Sequence, residues 1–103
     1  MIIIQLEKNS QDRCCGFRIE GHAGFAEHGE DIVCAAVSAI ALTAALGWRD
    51  VLHMPGDYLN EPGRLHVQLA AEPTAETEVV VQTMVAGLQA IEEQYPDYIQ
   101  IVD

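Results

Sequence analysis

Short β-type stretches and two longer helical ones follow each other along the chain, and their order predicts a fold. Ile2 to Glu7 is apolar and β-branched, and Gly16 to Glu20 sets Phe17 and Ile19 against Arg18 and Glu20. Both read as strands, joined by the polar turn Asn9-Ser10-Gln11-Asp12. After a loop from Gly21 to Glu30, Asp31 is a good N-cap for an Ala-rich helix that runs to Gly47 or slightly beyond. Gly56 and Pro62-Gly63 punctuate two further strands, around Asp57 to Asn60 and Leu65 to Leu69. Behind Pro73-Thr74, Glu76 and Glu78 suit the start of a helix, whose apolar stripe is Val81, Met84, Val85, Leu88, Ile91 and Tyr95. Pro96 ends it, and Tyr98 to Val102 alternates again as a last strand. The expected architecture is α+β, a single-domain two-layer sandwich over residues 1–103 in the order ββαββαβ, with two helices on a mostly antiparallel sheet.

Composition agrees with one compact unit. The 103 residues are 50% hydrophobic, enough for a single core. The uncharged run Ile32 to Trp48 includes Ser38, Thr43 and Gly47 and is shorter than the ~20 residues of a convincing membrane span, so a buried helix is expected and no membrane. No basic segment precedes the apolar N-terminal residues, so no signal peptide is expected and the chain should remain in the cytoplasm. Its formal charge of −11 argues against direct nucleic-acid binding, which needs clustered Lys and Arg. That charge serves solubility first, and could also draw in a basic protein partner. Cys14, Cys15 and Cys34 are odd in number and two are adjacent, which fits reduced thiols better than a disulfide framework.

Candidate chemistry is concentrated between Gly21 and Ser38. If Asp31 caps the helix, Cys34 lies in its first turn, where backbone N–H groups and the helix dipole would favour a thiolate. His22 leaves the second strand and could fold back beside the thiol to form a Cys–His pair, with Gly21, Gly24 and Gly29 as loop hinges. Spacing alone leaves other readings open. Cys34 could be a small buried hydrophobe, or a redox thiol paired with Cys14 or Cys15. A zinc site of Cys34, His22, His28 and His53 lacks any supporting CxxC or HExxH spacing, so no metal or cofactor is expected. Cys14 and Cys15, at a strand start, should point to opposite faces. His28 and His66 read as surface residues, and Trp48 and Tyr95 as core or dimer contacts.

The segment Gly21-His22-Ala23, then Gly29, then Asp31-Ile32-Val33-Cys34-Ala35-Ala36-Val37-Ser38-Ala39 resembles the signature of the ribosomal-processing cysteine protease family, Prp. Gln82 to Pro96 is similar to that family's second helix and its exit. The resemblance implies a cysteine endopeptidase that removes the N-terminal extension of a large-subunit ribosomal protein, cutting after an aromatic residue and so supporting ribosome assembly. It implies Cys34 as nucleophile, His22 as general base, a homodimer, and a mobile loop over the site at Ala23 to Glu30. Asp31 and Ser38 match the motif too. Asp31 reads first as the helix cap, and Ser38, one turn beyond Cys34, as a supporting residue. His22 would take the thiol proton and later protonate the leaving amine, with N–H groups at the helix start stabilising the oxyanion. The rival reading is a non-catalytic dimeric module that binds a basic ribosomal protein.

Overall fold

A computed structural model describes residues 1–24, 26, 27 and 31–102. The strands are β1 (Ile2–Lys8), β2 (Cys14–Glu20), β3 (Gly56–Glu61), β4 (Arg64–Leu69) and β5 (Ile99–Val102), and the helices are α1 (Ile32–Leu46) and α2 (Ala75–Gln94). Their chain order is the expected ββαββαβ. They form one sheet in the order β3-β4-β2-β1-β5. Three of its pairings are antiparallel, and β5 lies parallel to β1, with Ile2 opposite Ile99 and Ile4 opposite Ile101.

Burial follows the alternation in the sequence. Ile2, Ile4 and Leu6 are buried with Phe17, Ile19, Leu65 and Val67, while Ile3 is exposed and Gln5 and Glu7 are half-buried, so one face of the sheet carries the core. The helices cover that face. Val33, Val37, Ala41, Ala44 and Ala45 of α1 are buried with Val81, Met84 and Leu88 of α2. Gly87 lets α2 come near α1, because a methyl group at its α-carbon would lie 3.3 Å from Ile40 Cδ1.

Two local irregularities fix details that alternation does not carry. In the β1–β2 pairing, Glu7 faces Gly16 and Lys8 faces Cys14, so the register slips at Cys15. This bulge changes the phase of β2: Cys14 turns into the core while Cys15 is only half-buried. Gly16 also offers no side chain opposite Glu7, whose carboxylate reaches His66 on β4 at 2.9 Å. The second irregularity follows α1. A π-helical turn, Gly47–Val51, extends the helix, and Leu52 N–H donates to the Gly47 carbonyl at 2.9 Å. Together the run Ile32–Val51 is long and apolar enough to cross a membrane by length and composition alone, yet here its inner face is core and its first turn lines a cleft.

Trp48, in that turn, is fully buried, with its ring centroid 5.3 Å from that of Phe17. Its indole N–H donates to the Thr77 carbonyl at 3.1 Å, which ties the turn to the start of α2. Thr77 and the N-cap Thr74 form a capping box: Thr74 N–H donates to Thr77 Oγ1 at 2.7 Å, and Thr77 N–H donates to Thr74 Oγ1 at 3.1 Å. Thr77 is itself fully buried, so its hydroxyl is needed to satisfy Thr74. Replacing Thr77 by the isosteric Val should lower unfolding stability by about 1–2 kcal/mol, because the Thr74 N–H loses its acceptor and the Thr74 carbonyl its hydroxyl donor, measured by denaturant titration.

Candidate active site

The site forms where four elements meet at one end of the sheet: the start of β1, the end of β2, the start of β4 and the first turn of α1. Asp31 has an extended backbone (φ −79°, ψ 103°), and its Oδ1 accepts from Val33 N–H and Cys34 N–H, both at 3.0 Å. Its carbonyl accepts from Ala35 N–H at 3.0 Å, so Asp31 is the N-cap and Cys34 stands in the first turn, as its sequence position predicts. Asp31 is 7% exposed, the single buried charged residue among the described residues.

Cys34 is half-buried, and its Sγ accepts a hydrogen bond from Ala23 N–H at 3.1 Å. That contact brings the residue after His22 directly over the sulfur. His22 and Cys34 line the same cleft, of about 710 Å³. Cys34, Ser38 and Leu42 contribute one stripe of α1 to it, Ile2, Ile19 and Leu65 contribute apolar surface from the strands, and residues 60–64 of the β3–β4 hairpin close the opposite side. An apolar trough with a few polar groups at one wall suits an extended peptide segment. Arg64 stands at the rim, 3.9 Å from Glu20 and 3.7 Å from Glu61.

The sequence-predicted residues distribute as follows. Asp31, Cys34, Ser38 and His22 share the cleft, as do Gly21 and Gly24. Gly21 (φ +101°) and Gly24 (φ +73°) both hold the left-handed backbone that suits glycine. They differ in surroundings: the Gly21 α-carbon abuts the Met1 carbonyl, whereas a side chain at Gly24 would meet nothing within 4 Å among the described residues. Gly29 and His28, with Phe25 and Glu30 of the loop, lie outside the described residues. His53 and His66 are not among the cleft's lining residues, and among the described residues no three His, Cys, Asp or Glu side chains gather as a metal site. The hairpin tip, Pro62-Gly63, joins the site without having been singled out. Its dipeptide marked a turn, but nothing local in the sequence indicates which residue that turn touches.

Two expectations from helix position change. Burial pushes the Cys34 thiol above its ordinary range, and the Asp31 charge adds to this against the Ala23 N–H, so the resting sulfur is held as a thiol. The first-turn N–H groups of Val33, Cys34 and Ala35 are all engaged by Asp31, which leaves them neither for a thiolate nor for an oxyanion. Of the other cysteines, Cys14 is buried and raised to about 11 by desolvation, and its Sγ lies 3.1 Å from the Gly16 carbonyl. Cys15 Sγ donates to the Glu7 carbonyl at 3.3 Å, and all three cysteines are free.

Asp31 raises the Cys34 pKa through its charge but holds the helix through its acceptor oxygens, and Asn keeps only the second role. Asp31→Asn should therefore move the pH profile of Cys34 alkylation by iodoacetamide to lower pH, giving faster alkylation at neutral pH. Asp31→Ala should instead cost about 1 kcal/mol of stability, read by thermal melting.

Comparison with known proteins matches residues 1–100 to the family model described as cysteine protease Prp. The ribosomal processing cysteine protease Prp of Staphylococcus aureus (strain Mu50 / ATCC 700699) is 30% identical over 98% of this chain and 97% of its own length. The protein of the same name from Bacillus subtilis (strain 168) is 28% identical over 98% and 96%. A crystal structure of the ribosomal processing protease Prp from S. aureus with a covalently linked product peptide superposes with a TM-score of 0.88 at 28% identity, covering 98% of this chain and 97% of that one. A second, with a substrate peptide, gives a TM-score of 0.84 at 27% identity, covering 99% and 98%. With a shared fold, a cleft that holds a cysteine and matches along nearly its whole length, the chain belongs to the cysteine protease Prp family.

Proposed function

We propose that this protein is a cysteine endopeptidase that removes the N-terminal extension of a large-subunit ribosomal protein, with Cys34 as nucleophile and His22 as general base. The observation that carries the reading is the Cys34 sulfur, bonded by Ala23 N–H at one wall of a peptide-sized cleft that His22 also lines. The family's relatives are named for ribosomal processing, and S. aureus Prp has been solved with substrate and covalently linked product peptides.

Because the thiol is held protonated, the reaction starts with proton transfer. His22 takes the Cys34 proton as Sγ attacks the scissile carbonyl, and the tetrahedral intermediate collapses with proton return from His22 to the leaving amine. Water, deprotonated by His22, then cleaves the thioester and regenerates the thiol. Ala23 N–H, which donates to Sγ at rest, turns to the oxyanion once the sulfur is bonded to the substrate carbon. Asp31 acts through the placement and pKa of Cys34, and Ser38 as a polar group on the cleft wall one turn further on.

We also read the protein as a cytoplasmic homodimer. The free thiols suit a reducing compartment. A groove of about 970 Å³ between α1 and α2 is lined largely by apolar residues, including Val51 and Val79, which are 74% and 66% exposed. A second copy covering it would bury both.

Incubation with the host ribosomal protein, extension included, should give cleavage by the wild type and none by Cys34→Ala or His22→Ala, followed by mass under reducing conditions. Uncut substrate that nevertheless binds would replace the protease with the binding module. Val79→Glu should convert the dimer to monomer in sedimentation; a dimer that survives it has another interface.

A further inference from the structure

We propose that Gly63, at the tip of the β3–β4 hairpin, is a positioning residue for His22: its missing side chain is the space in which the imidazole rests. The inference builds on His22 as the general base.

Three observations carry it. The hairpin tip is fixed to the residue before the histidine, because Gly21 N–H donates to the Gly63 carbonyl at 3.0 Å. A methyl group on the Gly63 α-carbon would lie 2.9 Å from His22 Nε2, 3.2 Å from Cε1 and 3.7 Å from Cδ2, so the hairpin backbone borders the Nε2 end of the ring. Contacts between such atoms are comfortable only from about 3.5 Å, so the ring and a side chain at this position cannot both keep their places. Finally, both residues line the cleft with Cys34, so anything that displaces the ring changes its aim inside the site.

The turn and the ring make separate demands on this position. Gly63 has φ +74°, in the left-handed region, where Asn is tolerated much better than Ala. Backbone conformation alone would therefore accept Asn. The requirement for no side chain at all comes from His22. Nε2 is the far end of a rotatable side chain on an exposed residue, so a clash there is relieved by the ring swinging away, not by the hairpin unfolding. The fold survives the substitution while the base leaves its place.

The test compares Gly63→Asn and Gly63→Ala in the full chain with wild type and His22→Ala. Readouts are kcat and KM on a peptide spanning the N-terminal extension, melting temperature, and the pH profile of Cys34 alkylation by iodoacetamide. Both Gly63 variants should lose about tenfold to a hundredfold in kcat with KM little changed, as displaced catalytic groups do. Gly63→Asn should melt near the wild-type temperature, and its alkylation profile should move toward that of His22→Ala. Wild-type kcat and alkylation in Gly63→Asn would overturn the inference, as would a defect confined to Gly63→Ala, which would make it backbone strain. Failure of both variants to fold would overturn it too, by making the position structural. If His22→Ala retains full activity, the base assignment itself falls; if it is inactive beside a fully active Gly63→Asn, only the positioning role does.

Discussion

One buried carboxylate sets the terms for the whole site. Asp31 closes the end of the loop onto α1 by accepting the N–H groups of Val33 and Cys34, and in doing so it decides where Cys34 stands. The same oxygens consume the positive end of the helix. A helix N-terminus stabilises a thiolate because its N–H groups are unpaired and its dipole is uncompensated. Here a full negative charge occupies that position, 7% exposed and close to the sulfur. Burial does most to raise the Cys34 pKa, the Asp31 charge acts in the same direction, and the sulfur rests as a thiol. A cysteine at the start of a helix is thus not activated by position alone; desolvation and the charge already in the cap both count against the dipole.

The sheet supplies the remaining geometry. Because β2 is central and pairs with both β1 and β4, its end at Glu20 delivers the loop of His22 between the start of β1 and the start of β4. The β3–β4 hairpin is then a wall of the cleft as well as the edge of the sheet. Gly21 joins the two sides: its N–H bonds the hairpin tip while its α-carbon abuts the Met1 carbonyl. The backbone on either side of His22 is therefore anchored by separate neighbours, the tip through Gly21 and the sulfur through Ala23. The polarity of β5 is part of the same construction. Having crossed the covered face as α2, the chain returns beside β1 in parallel, and Ile99 packs into the core below that end of the sheet.

Much of this was legible in the sequence because it depends on short-range pattern. Alternation marked the strands, the Ala-rich run and the stripe from Val81 to Tyr95 marked the helices, and Asp31 was recognisable as a cap three residues before Cys34. What escaped depends on long-range partners. The parallel β1–β5 pairing cannot be read from either strand. The bulge at Cys15, which shifts the phase of β2 between Cys14 and Gly16, depends on the pairing with Glu7 and Lys8. The π turn exists to seat Trp48 against Phe17 and the Thr77 carbonyl, residues far apart in sequence. The thiol's upward shift escapes the sequence for a related reason: the dipole is a property of the helix, whereas the burial that outweighs it and the charge beside it belong to the folded site.

A thiol held protonated has chemical consequences of its own. Oxidants and alkylating agents attack thiolate, so a cysteine kept above its ordinary pKa resists both. Cys14 reaches the same condition chiefly by burial, with the Glu78 charge adding to it. Cys34 differs in being open to a cleft, where a neighbouring base can remove the proton when substrate is in place. With Cys34 and His22 in the roles proposed here, reactivity is conditional on the placement of the imidazole, since the sulfur cannot act without it. That makes ring orientation worth more in this site than in one with a preformed ion pair. A preformed thiolate is already charged when substrate arrives; a thiol needs a base brought within hydrogen-bond reach of its proton. The fold's tight anchoring of Gly21, Ala23 and the hairpin tip around His22 is the structural counterpart of that demand.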